Sequence, residues 1–198
     1  MNLSNKGAAA RLIPGHKLHA SAFDLAKVDA PTRIYSADAC NVIYRNGEIY
    51  LVFSQHSLFG DEIESALSLK MHGYYAKQFL KSIHDMKSPG LYEIAGLLNI
   101  EKESLVDFDR NPKHVAKFSA NVMQFALAGY DSAIDFYLLS PIAAYRSGVR
   151  NNDIPLIAVA RVELRTSLAV SMIEKLKEFE SSFPDDSNGS IVYESEEK

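Results

Sequence analysis

The sequence predicts an α+β protein built from two antiparallel β-β-β-α units with a helical insert between them. Three observations carry this reading. Short runs of alternating apolar and polar residues, bounded by turn signals, occur twice, at about 39–71 and 122–164. Each set runs into a stretch with apolar residues at helical spacing. The two sets share one order: hairpin, loop, strand, helix.

The chain is expected to divide into an N-terminal segment (1–33), a first unit (34–87), a helical insert (88–117), a second unit (118–180) and an acidic, flexible tail (181–198). In the first segment a short helix is expected at about His19–Val28, before Pro31. Ala39–Tyr44 and Ile49–Phe53 read as strands joined by Asn46-Gly47, a dipeptide suited to a type I′ hairpin turn because both central residues need positive φ. Gln55–Glu64 reads as a loop. Ala66–Met71 alternates, with Leu67, Leu69 and Met71 on one face. A helix over Tyr74–His84 places Tyr75, Phe79, Leu80 and Ile83 on a stripe. Ser88-Pro89 then signals a new helix start, and two or three short helices are expected up to Lys117. The second unit repeats the first: Val122–Ala128, a turn at Gly129–Ser132, Ile134–Leu139, Leu156–Leu164, then a helix over Ser167–Glu180 ended by Phe183-Pro184.

The strand-helix pieces align without gaps at a shift of 93. This pairs Leu69 with Val162, Met71 with Leu164, Ala76 with Ala169, Phe79 with Met172, Leu80 with Ile173 and Ile83 with Leu176. The hairpins align at a shift of 86, Ile49 over Asp135. A three-stranded unit of this size is marginal alone; two, in one chain or as a dimer, can share one continuous sheet. The stretch from Ile157 to Phe179, IAVARVELRTSLAVSMIEKLKEF, resembles the end of a small bacterial β-β-β-α domain family of unknown function, and MHGYYAKQFLKSI in the first half matches it more loosely. The sheet plus long helix is more distantly similar to SecB-like export chaperones. The resemblance implies protein binding and assigns no functional residue.

Composition narrows the function. The apolar fraction of 47% is that of a folded protein, and no apolar run reaches membrane-helix length. One cysteine, Cys40, forms no internal disulfide, so a reducing, cytoplasmic setting is expected. Residues 180–198 carry six acids against Lys198, while 1–33 carry five bases and two acids. No cluster of Lys and Arg offers a phosphate-binding surface, so nucleic acid and membrane partners are not expected.

Motifs for catalysis are missing: no P-loop, GxGxxG, GxSxG or HExxH. His16 and His19 follow Pro14-Gly15, which argues for a loop. His72 and His84 flank the first helix, and His56 sits near Asp61 and Glu62 in the loop. Cys40 reads as a buried structural thiol. No catalytic, cofactor or metal residues are assigned. Tyr92–Phe108 has helix-turn-helix spacing, with Ala95 at the crossing and Asn99 at the turn. Its second stretch, Glu101–Arg110, has four acids and two bases, which repels phosphates. Aromatics on both sides of Tyr74-Tyr75 and Asp135-Phe136-Tyr137 suggest an exposed binding surface.

The expectation is therefore a non-catalytic protein-binding module: an adaptor, an assembly factor or a SecB-like chaperone. Its rivals are a DNA-binding regulator using 92–108 and an enzyme with an unrecognised site. Self-association is also expected. The strand Ile154–Leu164 presents an edge blunted only by Pro155 and the outward Arg161, Glu163 and Arg165, and residues 1–33 are the alternative cover.

Overall fold

The computed structural model describes residues 28–57, 63–84, 91–105, 115–140 and 156–184. The expected helix at 19–27, the histidines at 16, 19 and 114, and the tail beyond 184 lie outside them. The elements are β1 (Ile34–Ala37), β2 (Ala39–Arg45), β3 (Glu48–His56), β4 (Ile63–His72), α1 (Gly73–His84), α2 (Leu91–Leu97), β5 (Val115–Ser119), β6 (Val122–Ala128), β7 (Asp131–Leu139), β8 (Leu156–Arg165) and α3 (Thr166–Phe179). The α+β class is as the sequence predicts. Among the described residues no helix is long and apolar enough to cross a membrane.

The units do not merge into one sheet. They form two mixed four-stranded sheets, ordered β2-β3-β4-β5 and β1-β8-β7-β6. In each, a three-stranded antiparallel meander is completed by a parallel strand from the other half: β1 lies beside β8, and β5 beside β4. This corrects two expectations. The β8 edge is covered by Ile34–Ala37, just beyond the 1–33 segment proposed to cover it. The end of the expected helical insert, from Val115, is strand.

β1 and β2 are one chain path that changes sheets at a corner, and so are β5 and β6. At the first corner Asp38 and Ala39 together oppose Ser54: Ala39 is its register partner and the Asp38 N–H donates to the Ser54 carbonyl at 3.1 Å. At the second, Asn121 and Val122 oppose Tyr137 in the same way, with Asn121 N–H to Tyr137 O at 3.0 Å. Two residues against one is a β-bulge, which bends a strand enough to leave one sheet for the next. The corner side chains also correspond. Asp38 accepts the His56 N–H, and Asn121 accepts the Leu139 N–H at 2.7 Å and donates to the Leu139 carbonyl at 2.9 Å.

These pairs fix the hairpin repeat at a shift of 83, which carries Asp38 to Asn121, Ser54 to Tyr137 and His56 to Leu139. The expected shift of 86 is wrong by an odd number and would turn every hairpin residue to the other face. At 83, the buried Leu51 and Phe53 fall on the buried Ile134 and Phe136. The shift of 93 holds for β4/β8 and the helices, because the β7–β8 connection is ten residues longer than that between β3 and β4.

One core joins both sheets and helices α1 and α3. Ile49, Leu51, Phe53, Leu67, Leu69 and Met71 from one sheet meet Ile134, Phe136, Ala160, Val162 and Leu164 from the other. The Phe53 and Phe136 rings touch edge-on at 6.0 Å between centroids. Turns follow their residues: Asn46 and Gly47 both have positive φ, the I′ pattern, whereas at the second hairpin Gly129 alone does, the II′ pattern.

Candidate functional site

Among the described residues β2 has β3 on one side only. The two-residue turn makes Arg45 and Glu48 a hydrogen-bonded pair, so by alternation Asn41 and Ile43 bond to β3 while Cys40, Val42 and Tyr44 turn their N–H and C=O outward. The Val42 N–H agrees with this: its partner is not on β3 but the side-chain oxygen of Asn41, at 2.7 Å. Helix α3 packs beside this strand. Between them lies a groove of about 590 Å³, lined by the consecutive β2 residues Asn41–Tyr44, by Lys102, Glu103 and Leu105, and by one face of α3 including Glu174, Lys175 and Phe179. Four consecutive strand residues line one groove only where it follows the strand edge. Ile43, pointing away from the core, is 43% exposed.

The third wall is fixed by charge. α3 starts after Arg165 with no side-chain cap and no acid in its first turn. Glu103 supplies an acid from the insert. Its carboxylate accepts the Ser167 hydroxyl and pairs with the Arg165 guanidinium at 2.8 Å. Its backbone N–H donates to Ser171 Oγ at 3.0 Å. A negative charge at a helix N-terminus opposes the partial positive charge of the unpaired N–H groups. Next to it Lys102 pairs with Glu174 at 2.7 Å. At the other end Tyr44 donates to the Ser182 carbonyl at 2.7 Å and its ring meets those of Phe179 and Phe183.

The groove thus offers strand-edge donors and acceptors, an apolar lip (Ile43, Leu105, Phe179) and charges already matched in pairs. That chemistry suits an extended peptide. Cys40 lies beneath it, fully buried, and burial, with a smaller push from Glu103, raises its thiol to about 12.

Other candidates stand as follows. The Asp38 carboxylate holds His56 Nδ1 at 2.8 Å on an exposed corner. His72 is exposed at the start of α1, and neither histidine lines the groove. On the outer face of the β8-containing sheet, Arg161 holds Asp135 through two bonds of 2.7 and 2.8 Å, with the Tyr137 hydroxyl 3.3 Å from the same carboxylate. Burial first, then Asp135, raises Tyr137 to about 12. Among the described residues no three His, Cys, Asp or Glu side chains converge as a metal site.

Two sequence expectations change. Phe136 and Tyr137 are not an exposed surface. The β7–β8 register slips between them, and both are buried, Phe136 in the main core and Tyr137 in a small outer cluster with Val122 and Leu139. Of the supposed helix-turn-helix, the described residues show the first helix and the turn, and residues 106–110 lie outside them. α2 ends at Asn99 in left-handed conformation, with Ile100 N–H to Ala95 O at 2.8 Å and Asn99 N–H to Gly96 O at 3.2 Å. Glu101–Leu105, the start of the supposed recognition helix, is not helical; it is the groove wall. The groove itself escaped sequence reading, and its one signal was Ile43, an apolar residue on the outward, polar side of β2. Compared with protein-family models, curated proteins and solved structures, the chain gives no significant match.

Proposed function

We propose that the protein is a non-catalytic protein-binding module, an adaptor, assembly factor or SecB-like chaperone, that takes an extended segment of a partner along the outer edge of β2. The carrying observation is a strand edge with outward backbone groups, faced by a helix across a peptide-sized groove and flanked by the exposed Ile43. Strand addition draws affinity from main-chain hydrogen bonds and specificity from alternate side chains. The matched charges of the walls leave binding to backbone and apolar contacts. A cytoplasmic setting agrees with the single thiol. A homodimer joined β2 to β2 would use the same edge, so self-association competes with partner binding in this reading.

The test is selection of binders from a displayed library of linear peptides, followed by hydrogen exchange. Selected peptides should slow exchange over 39–45, and Ile43→Asp should weaken them by about tenfold, the effect of losing one apolar contact at a strand-addition site. Peptides that protect other segments, or a library that yields none, would refute the reading.

A further inference from the structure

We infer that Asn41 gates the β2 edge: its side-chain oxygen occupies the central outward donor, the Val42 N–H, and must swing aside before any strand is added, which biases the edge toward a foreign segment and away from a second copy of the chain. The inference rests on the reading of the β2 edge given above. Cys40, Val42 and Tyr44 turn their backbone groups outward, so Val42 is the middle one of three. A strand covering the edge, parallel or antiparallel, takes up its N–H. In the structure that N–H already donates to Asn41 Oδ1 at 2.7 Å. An amide nitrogen could not accept it, so the bond itself fixes which way the Asn41 side chain faces. The backbone of Asn41 is held on the other side, opposite Val52 of β3, so only its side chain has to move. Asn41 and Val42 both line the groove.

The composition of the strand gives this bond its importance. An unpaired edge is a template for unwanted pairing, and proteins blunt it with charge, proline or a bulge. From Ala39 to Tyr44 β2 has neither charge nor proline. The bulge at Asp38 and Ala39 stands at its start and Arg45 at its end, which leaves the middle to Asn41. Asparagine suits the task because its short side chain bonds readily to neighbouring backbone groups and competes with a sheet ladder for them.

The bond acts as a penalty on the open state: apparent Kd is the intrinsic Kd divided by the fraction of molecules with the donor free. One neutral hydrogen bond corresponds to a factor of about five. The penalty is the same for every peptide, whatever its side chains. A segment that also packs on the exposed Ile43 overcomes it, whereas one offering a single backbone bond does not. A β2-to-β2 dimer needs two donors freed, so it suffers the factor twice, about 25-fold. The gate therefore favours partner binding over self-pairing by about fivefold.

The experiment uses the full chain with Asn41→Ala, which removes the acceptor, and Asn41→Asp, which keeps one; urea midpoints check folding. Without any peptide, the Val42 amide, corrected for its intrinsic rate, should exchange about fivefold faster in Asn41→Ala than in the wild type and stay slow in Asn41→Asp, with the Tyr44 amide as the control. Library-selected peptides of unrelated sequence should all bind Asn41→Ala more tightly by one common factor of about five, and Asn41→Asp no more tightly than the wild type. Self-association measured by sedimentation should strengthen by about the square of that factor in Asn41→Ala. Unchanged Val42 exchange in Asn41→Ala would overturn the inference. So would gains that differ from peptide to peptide, since those report a side-chain contact, or a gain in Asn41→Asp equal to that in Asn41→Ala. If no peptide binds any of the three chains, the partner reading falls, and the gate is upheld by faster Val42 exchange in Asn41→Ala or overturned by equal exchange.

Discussion

Replacing Glu103 by alanine removes three interactions with one carboxylate. The hydrogen bond from Ser167 is charge-assisted, of a kind contributing about 1.5–3 kcal/mol. The pair with the more exposed Arg165 adds about 0–1 kcal/mol. The charge at the α3 N-terminus adds about 0.3–1 kcal/mol. These overlap, because one charge serves all three, so the expected loss is about 2 kcal/mol. For a chain of this size that lowers the melting temperature by about 4–8 °C. Glu103→Gln keeps an acceptor for Ser167 and should recover about half the loss. A double-mutant cycle with Arg165→Ala isolates the ion pair, and that part alone should shrink in high salt. Urea unfolding at neutral pH measures all five proteins, the wild type included. A Glu103→Ala protein within about 0.3 kcal/mol of wild type would show that Glu103 does not tie the insert to the start of α3, and the groove's third wall would lose its anchor.

Three further outcomes are expected. Cys40 and Tyr137 hold their protons to about pH 12 in the fold, while the unfolded chain releases them near 9 and 10. Stability should therefore be full below pH 9 and fall as pH rises toward 12. The Cys40 part is at most on the order of 4 kcal/mol, and an unchanged alkaline slope in Cys40→Ala would refute it. Gly73→Ala sets a methyl group 3.1 Å from the Phe183 ring and 3.2 Å from the Gly47 carbonyl, so it should cost about 1–2 kcal/mol in a urea titration. Asp135→Ala leaves the Arg161 guanidinium and the buried Tyr137 hydroxyl without their partner; a loss of about 2–3 kcal/mol is expected, whereas Asp131→Ala on the same strand should stay within about 0.5 kcal/mol.

Local rules wrote most of the elements into the sequence. Asn46-Gly47 marks its hairpin because positive φ at two successive residues suits few other pairs. Asn99 marks the end of α2 for the same reason. Alternation located β4 and β8, and helical spacing located α1 and α3. Two strands escaped. Ile34–Ala37 and Val115–Ser119 are short, and each is defined by a parallel partner in the other half that no local pattern announces. The hairpin shift was misread because Ile49–Phe53 and Phe136–Leu139 are both apolar throughout, and such runs do not declare which face is inward. Strand order is equally non-local, so nothing in Asn41–Tyr44 itself says that its outer edge meets a helix rather than another strand.

The exchange of β1 and β5 between the sheets decides what counts as a part of this molecule. Each half of the chain makes a three-stranded meander whose last strand is bare until the other half lends it a fourth. β1 waits for a partner more than a hundred residues away, so its pairing closes late in folding. Cutting the backbone between His84 and Leu91 would therefore not release two domains. It would give two incomplete pieces, each holding the strand the other lacks, which should regain the native spectrum only when mixed one to one. The peptide link between the halves sets their local concentration; the lent strands hold them together.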